Sequence, residues 1–214
     1  MKILTEHESK KLLAEYGIPV TREAVARSRE DAILLAREIG FPVAMKISSP
    51  DIAHKNAAGC VLLDVGKQDV GATFETIVAN AKRHAPDAQI DGVLVQEMVP
   101  RGTEIVIGVT CDSQFGHAVM FGLGGGFVEV LDDVSFRIVP LTKQDAIEMT
   151  DDIRGRSILA GCDVGAIVST ILKVSEMAAK EKIFELDINP LVVFEKGKGC
   201  IAVDARLTLE GKME

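Results

Sequence analysis

Strand-like and helix-like periodicities alternate along the whole chain, with no internal repeat and no low-complexity tract. Thr5 and Glu8 have the spacing of a capping box, and Leu12, Leu13 and Tyr16 mark an apolar stripe on the helix that follows. Gly17-Ile18-Pro19 stops that helix, and Ser28 is placed to cap a second one carrying Ile33, Leu34 and Ile39. Strands are expected over 43–47, 60–65 and 92–98, with a helix through Phe74, Ile77, Val78 and Ala81. Beyond the Pro100-Arg101-Gly102 punctuation, strands are expected over 104–111 and 117–121, followed by a glycine cluster at 122–126. Helices resume at Thr142, with Asp145 as capping partner, and over 164–179. The runs 184–194 and 200–207 read as a hairpin across Lys196-Gly197-Lys198-Gly199. The pattern predicts an α/β (α+β) protein with two lobes, 1–97 and 98–214, whose first helix is able to pack on the other lobe. The turn near 97–102 would leave a cleft between them.

Composition narrows the function. Of 214 residues, 47% are apolar, Trp is absent and Tyr occurs once, so the core is aliphatic. The 24 basic and 32 acidic side chains leave a net charge of -8. An acidic surface repels nucleic acid and anionic membrane, so neither is an expected partner. Cys60, Cys111, Cys162 and Cys200 lack metal-ligand spacing and read as packing residues in a reducing compartment. The first eleven residues are charged and helical in pattern rather than signal-like, and the most apolar helical stretch, 164–172, is too short to span a bilayer. A cytoplasmic protein is expected.

Five features are candidates for chemistry. Lys46 interrupts an apolar strand, where period two sets it with Ala44 and Ser48 against Val43, Met45 and Ile47. A buried lysine needs a counter-charge, and a nucleotide phosphate, a carboxylate or escape to solvent each meets that need. In Phe184-Glu185-Leu186-Asp187-Ile188-Asn189-Pro190, oxygen-bearing side chains alternate with apolar ones, so Glu185, Asp187 and Asn189 share a face. With Gly197 and Lys198 as a two-residue loop, Asp204 falls opposite Leu191 and diagonal to Asn189, roughly 7–8 Å away. A carboxylate and an amide oxygen form a partial hard-ligand set suited to Mg²⁺; a polar face in solvent is the alternative. Gly122-Leu123-Gly124-Gly125-Gly126 could let backbone N–H groups approach an anion, but it matches no P-loop and by itself reads first as a tight turn. Glu97 and Glu104 flank the inter-lobe turn, where ribose, adenine or solvent would satisfy them equally. By itself His54 is an ordinary loop histidine.

Together these segments resemble the ATP-grasp (β) subunit of ADP-forming acetyl-CoA or acyl-CoA synthetases. The resemblance runs over residues 4–207 and rests on Tyr16-Gly17-Ile18-Pro19-Val20, Met45-Lys46-Ile47-Ser48-Ser49-Pro50-Asp51-Ile52-Ala53-His54-Lys55, Val119-Met120-Phe121-Gly122-Leu123-Gly124-Gly125, Val134-Ser135-Phe136-Arg137 and Glu185-Leu186-Asp187-Ile188-Asn189-Pro190. It implies an ATP-grasp fold with ATP or ADP in the cleft. Lys46, Gly124 and Gly125 would lie at the nucleotide, Glu97 and the Val99 backbone at the adenine hinge, and Glu104 at the ribose or the phosphate-binding lysine. Asn189 and Asp204 would hold Mg²⁺, His54 would be the phosphorylated relay histidine, and Asp187 would lie near the transferred phosphate. The implied reaction converts acyl-CoA, ADP and phosphate to acid, ATP and CoA, with a separate CoA-binding α subunit in an α2β2 assembly. Two stretches depart from the family pattern: Asn56-Ala57-Ala58-Gly59-Cys60 replaces an acid and a Gly-Gly pair after His54, and 159–165 is short and lacks an Arg-Gly step. The rival readings are a succinyl-CoA-synthetase-like subunit or carboxylate–amine ligase, and a non-catalytic nucleotide-binding module.

Overall fold

A computed structural model describes residues 1–52, 54–125 and 133–211. Ala53 of the His54 loop and Gly126 of the glycine cluster lie outside the described residues. The chain divides into two compact units, Thr21–Pro100 and Met1–Val20 with Arg101–Glu214. Compared with the expected boundary at 97/98, the seam falls three residues later and the first twenty residues join the C-terminal unit.

In the Thr21–Pro100 unit, strands β2 (Glu23–Ala26), β3 (Val43–Ser48), β4 (Val61–Val65) and β5 (Gly92–Glu97) form an antiparallel sheet in the order β2-β5-β3-β4. Helices α2 (Arg29–Ile39) and α3 (Val70–His84) share a core with Val43, Met45, Ile47, Val93 and Val95. Ser28 caps α2 through its side chain, as its position predicts. The β2 strand escaped sequence reading because Glu23-Ala24-Val25-Ala26 is short and becomes a strand only by pairing with β5.

The second unit has a seven-stranded sheet. Its path is β1 (Lys2–Ile3), β11 (Ala205–Leu209), β9 (Ile183–Val193), β6 (Thr103–Asp112), β7 (Gly116–Leu123) and β8 (Val134–Ile138), with β10 (Cys200–Ala202) also paired to β9. Every pairing between its named strands is antiparallel. Helices α1 (Glu6–Glu15), α4 (Lys143–Asp152) and α5 (Val164–Lys180) contribute Leu13, Met149, Ile167, Ile171, Val174 and Met177 to the core. Those side chains pack with Ile105, Ile107, Val119, Phe121, Leu186 and Ile188 from the sheet. Period two then turns Gly108, Met120, Glu185 and Asp187 to the opposite face. Capping boxes close the N-termini of α1 and α4, at Thr5/Glu8 and Thr142/Asp145.

Helix α1 differs from its sequence reading. Its fully buried residues are Glu6, Ser9, Lys10 and Leu13, while Leu12 and Tyr16 pack only partly against the core. The buried stripe keeps the expected i, i+3, i+4, i+7 spacing but is mostly polar. Among the described residues, no helix is long and apolar enough to cross a membrane.

Candidate functional site

In the Thr21–Pro100 unit, β3 is buried along its whole length, and Lys46 is 5% exposed. It lies between Leu94 on β5 and Val61 on β4, on the sheet face away from α2 and α3. Gln96, 1% exposed and opposite Ala44, shares that face; sequence analysis overlooked it, although period two from Leu94 would have found it. A buried lysine and a buried amide share this sheet face with Ser48 and Glu23, and such buried polar groups require specific partners.

His54 occupies the outside of a loop whose two ends are pinned. Ile52 enters the core before it, and the Asp51 carboxylate accepts the Gln89 N–H at 2.7 Å. Behind it, Ala58 N–H donates to the His54 carbonyl (3.2 Å), Cys60 N–H to Lys55 (2.8 Å), and the Asn80 amide to the Gly59 carbonyl (2.7 Å). The ring itself is exposed and makes no hydrogen bond among the described residues. Glu97 is less free than its sequence position implies. Its two oxygens accept from the Arg22 backbone N–H and Nε, each at 2.8 Å, and its own N–H donates to the Arg22 carbonyl. Val99 follows the end of β5 and is half-buried.

The second unit gathers two groups of predicted residues. Glu104, Gly124 and Gly125 line one depression of about 330 Å³ with Gly102, Thr103, Leu123 and Ile158. Gly124 N–H donates to the Glu104 carbonyl at 2.7 Å, and a Cβ on Gly124 would stand 2.8 Å from the Glu104 and Ile105 backbone. Close backbone approach therefore accounts for that glycine. Nearby, Asp133 is 8% exposed and accepts from Arg154 and Gly155 N–H, both at 2.7 Å, fixing the 3-10 turn Arg154–Leu159 that carries Ile158.

The acidic hairpin forms with a corrected register. Lys198 N–H donates to the Glu195 carbonyl, so Lys196 and Gly197 are the central loop residues, not Gly197 and Lys198. Gly197 takes φ +83, a conformation that glycine adopts without the clash a Cβ would bring. Ala202 consequently pairs with Leu191 and Ala205 with Ile188. Asp204 then stands directly across from Asn189, whose N–H donates to the Asp204 carbonyl at 3.1 Å, instead of opposite Leu191. Because the slip is two positions, the predicted face survives. The run 200–207 is also broken: β10 ends at Ala202, β11 begins at Ala205, and Val203-Asp204 form the bend.

Asp187 faces Gly108 on one side and Arg206 on the other. Burial first, then the negative charges of Asp204 and Glu185, push its carboxyl above the ordinary range, with Arg206 opposing. Asp187 and Asp204 are thus near enough to repel, and Asn189 adds an amide oxygen. This oxygen-only, net-negative donor set fits a hard divalent cation. Among the described residues, no group of three or more His, Cys, Asp or Glu side chains could hold a metal ion. A cation here would need further ligands from water or substrate.

Behind this bend lies a buried ion pair that the apolar pattern of the sequence does not announce. Lys10, 1% exposed, donates from Nζ to the Val203 carbonyl at 2.8 Å and pairs with Glu6 Oε1 at 3.1 Å. The available signal was the spacing of Glu6, Ser9 and Lys10 back from Leu13.

Each unit is an α+β layer: one carries a depression of about 330 Å³ and an acidic hairpin, the other a buried strand lysine, and comparison with known proteins gives the class to which such a chain belongs. The ATP-grasp domain family matches residues 1–209. The β subunit of acetate–CoA ligase (ADP-forming) II from Pyrococcus furiosus is 46% identical over 217 residues, covering 97% of this chain and 92% of that one. A longer acetate–CoA ligase (ADP-forming) II from Archaeoglobus fulgidus is 42% identical over 97% of this chain, which spans 30% of its length. The acetyl-coenzyme A synthetase 1 of Ca. Korarchaeum cryptofilum, solved with coenzyme A and Ca-AMPCP, superposes with TM-score 0.94 at 42% identity, covering 98% and 94% of the two chains. The same protein, solved with coenzyme A and Mg-AMPPCP and its phosphohistidine segment pointing towards the nucleotide site, gives TM-score 0.84 at 39% identity, covering 98% and 93%. The chain belongs to the ATP-grasp family and, within it, to the β subunits of ADP-forming acetate–CoA ligases. It is a ligase subunit with a nucleotide-binding fold, and β-subunit kinship implies a partner chain.

Proposed function

We propose that this chain binds Mg-ADP or Mg-ATP and moves a phosphoryl group between His54 and the nucleotide, serving a separate CoA-binding α subunit in a cytoplasmic α2β2 enzyme. The strongest support is similarity over 97% of the chain to a β subunit of this reaction class. The overall conversion is acyl-CoA, ADP and phosphate to carboxylic acid, ATP and CoA.

In this reading a His54 ring nitrogen forms a P–N bond as the acyl phosphate P–O bond breaks and the carboxylate leaves. A β-phosphate oxygen of ADP then forms the new P–O bond as the P–N bond breaks, returning neutral imidazole and ATP. Dividing the transfer this way replaces one long passage by two short ones. The exposed ring of His54 suits a nucleophile that must meet both donor and acceptor. Lys46 neutralises nucleotide phosphate charge. The adenine edge falls to the Val99 backbone, with Glu97 holding the strand end through Arg22. Glu104, beside Gly124 and Gly125, accepts from ribose hydroxyls. Asn189 and Asp204 hold Mg²⁺, which supplies charge neutralisation to the phosphates, while Asp187 lies by the transferred group.

The test is reconstitution with a CoA-binding α chain. Acyl-CoA-dependent ATP formation is expected, with acid-labile phosphate on His54, and His54→Asn should lower turnover by about three orders of magnitude or more. Phosphate mapped to another residue, or a His54→Asn enzyme with wild-type turnover, would refute the proposal.

A further inference from the structure

The bend at Val203-Asp204 is built largely by the first twenty residues of the chain. Ala202 N–H donates to the Pro19 carbonyl at 2.8 Å, and Val20 bridges to Ala202 in parallel. On the other side, Leu4 N–H donates to the Leu207 carbonyl at 2.9 Å, and β1 pairs Ile3 with Thr208. Between these two attachments the strand is interrupted, and Val203 N–H donates to the Pro190 carbonyl at 3.0 Å. The Val203 carbonyl therefore turns towards α1, where the Lys10 ammonium meets it at 2.8 Å. Lys10 reaches that position from inside the protein, with Glu6 balancing its charge one helical turn earlier.

We propose that Lys10 is a positioning residue for the cation ligand Asp204: it holds the Val203 carbonyl and so fixes the bend that presents Asp204 to Asn189. The inference rests on the reading of Asn189 and Asp204 as cation ligands. Its physical basis is the cost of the arrangement. A lysine 1% exposed and a glutamate whose side chain is 3% exposed are expensive to bury, and an aliphatic pair would fill α1 at least as stably. What an aliphatic pair could not supply is the Lys10 donor to the Val203 carbonyl at the bend where β10 stops. Groups that orient a metal ligand from behind govern affinity without touching the metal, and their loss costs affinity about tenfold or more.

Mn²⁺ serves as the probe, titrated by electron paramagnetic resonance into the full chain with ADP present. The double variant Glu6→Gln/Lys10→Met removes both charges together, so it should fold with a transition near that of the wild type. It should bind Mn²⁺ about tenfold more weakly, while Glu6→Gln alone keeps the wild-type affinity. A double variant with wild-type Mn²⁺ affinity overturns the inference. So does an equal loss in Glu6→Gln, since the effect would then follow the ion pair rather than the donor. Should the double variant not fold, Lys10→Arg decides: it keeps the charge but moves the donor, and weaker Mn²⁺ binding at an unchanged melting temperature supports the assignment, whereas unchanged binding refutes it. Asn189→Ala and Asp204→Ala separate the two readings. If neither weakens Mn²⁺ binding, the ligand assignment itself is wrong; if they do and the Lys10 variants do not, only the role of Lys10 is lost.

Discussion

The loop of His54 and the bend of Asp204 hold the two side chains proposed as phosphate relay and cation ligand in opposite ways. Around His54 the attachments lie at the loop's ends: Ile52 and Cys60 are buried, Asp51 is tied to Gln89, and the imidazole between them is left exposed. Around Asp204 the attachments sit at the bend itself, from Pro19, Pro190, Asn189 and a fully buried lysine. A group that exchanges phosphate with two different molecules must be reachable. A group that fixes a cation must be stiff. The contrast teaches that charged residues deserve different structural neighbours according to whether they travel between partners or wait for one.

The largest effect that could break this comparison is on stability. Lys10→Met leaves Glu6 buried without its counter-charge, so chemical denaturation should show a loss of about 3–5 kcal/mol. His54→Asn should leave the denaturation midpoint where it is, since an exposed side chain that makes no hydrogen bond among the described residues contributes little. Equal losses would mean that the two sites are held alike.

Next comes Gly124→Ala. Its Cβ would press on the Glu104 and Ile105 backbone at 2.8 Å, which should cost about 1–3 kcal/mol and weaken ADP binding by displacing the depression's wall. Calorimetric titration with ADP checks the second part, and unchanged affinity would remove Gly124 from the nucleotide-binding set.

The smallest effect sharpens the picture of α1. At the end of this helix away from Glu6, the Tyr16 hydroxyl donates to Glu181 Oε1 at 2.7 Å, and that bond, ahead of burial and nearby carboxylates, pushes the phenol from 10 to about 12. The folded chain favours the neutral phenol, so the bond's stabilisation is complete below pH 10 and is lost as pH rises from 10 to about 12. Tyr16 is the protein's single tyrosine and Trp is absent, so phenolate absorbance reports it cleanly. Glu181→Gln should return the titration towards 10. An unshifted wild-type titration would show that this end of α1 is not anchored.

Much of this protein was legible in local patterns. The capping boxes at Thr5 and Thr142, the turn at Gly17, the strand that buries Lys46 and the alternation through Glu185, Asp187 and Asn189 all follow from periodicity and side-chain chemistry over a few residues. The hairpin register did not, because both Lys196-Gly197 and Gly197-Lys198 suit a tight loop by composition, and the choice depends on which strand residues gain partners. The clamp of Arg22 on Glu97 was hidden for a related reason: 75 residues separate two groups that only the β2–β5 pairing brings together.

Sequence alone determined that this chain makes two kinds of sheet-and-helix layer, where its helices start, and which side chains are chemically able to hold phosphate or a cation. Tertiary structure decided that the first helix buries Glu6, Ser9 and Lys10 against a bend some two hundred residues away, and that Asp204 meets Asn189. The physical reason is that a polar residue on a helix face has no assigned environment until another segment arrives to hydrogen-bond it. Periodicity states which face a side chain is on; only packing states what it meets there.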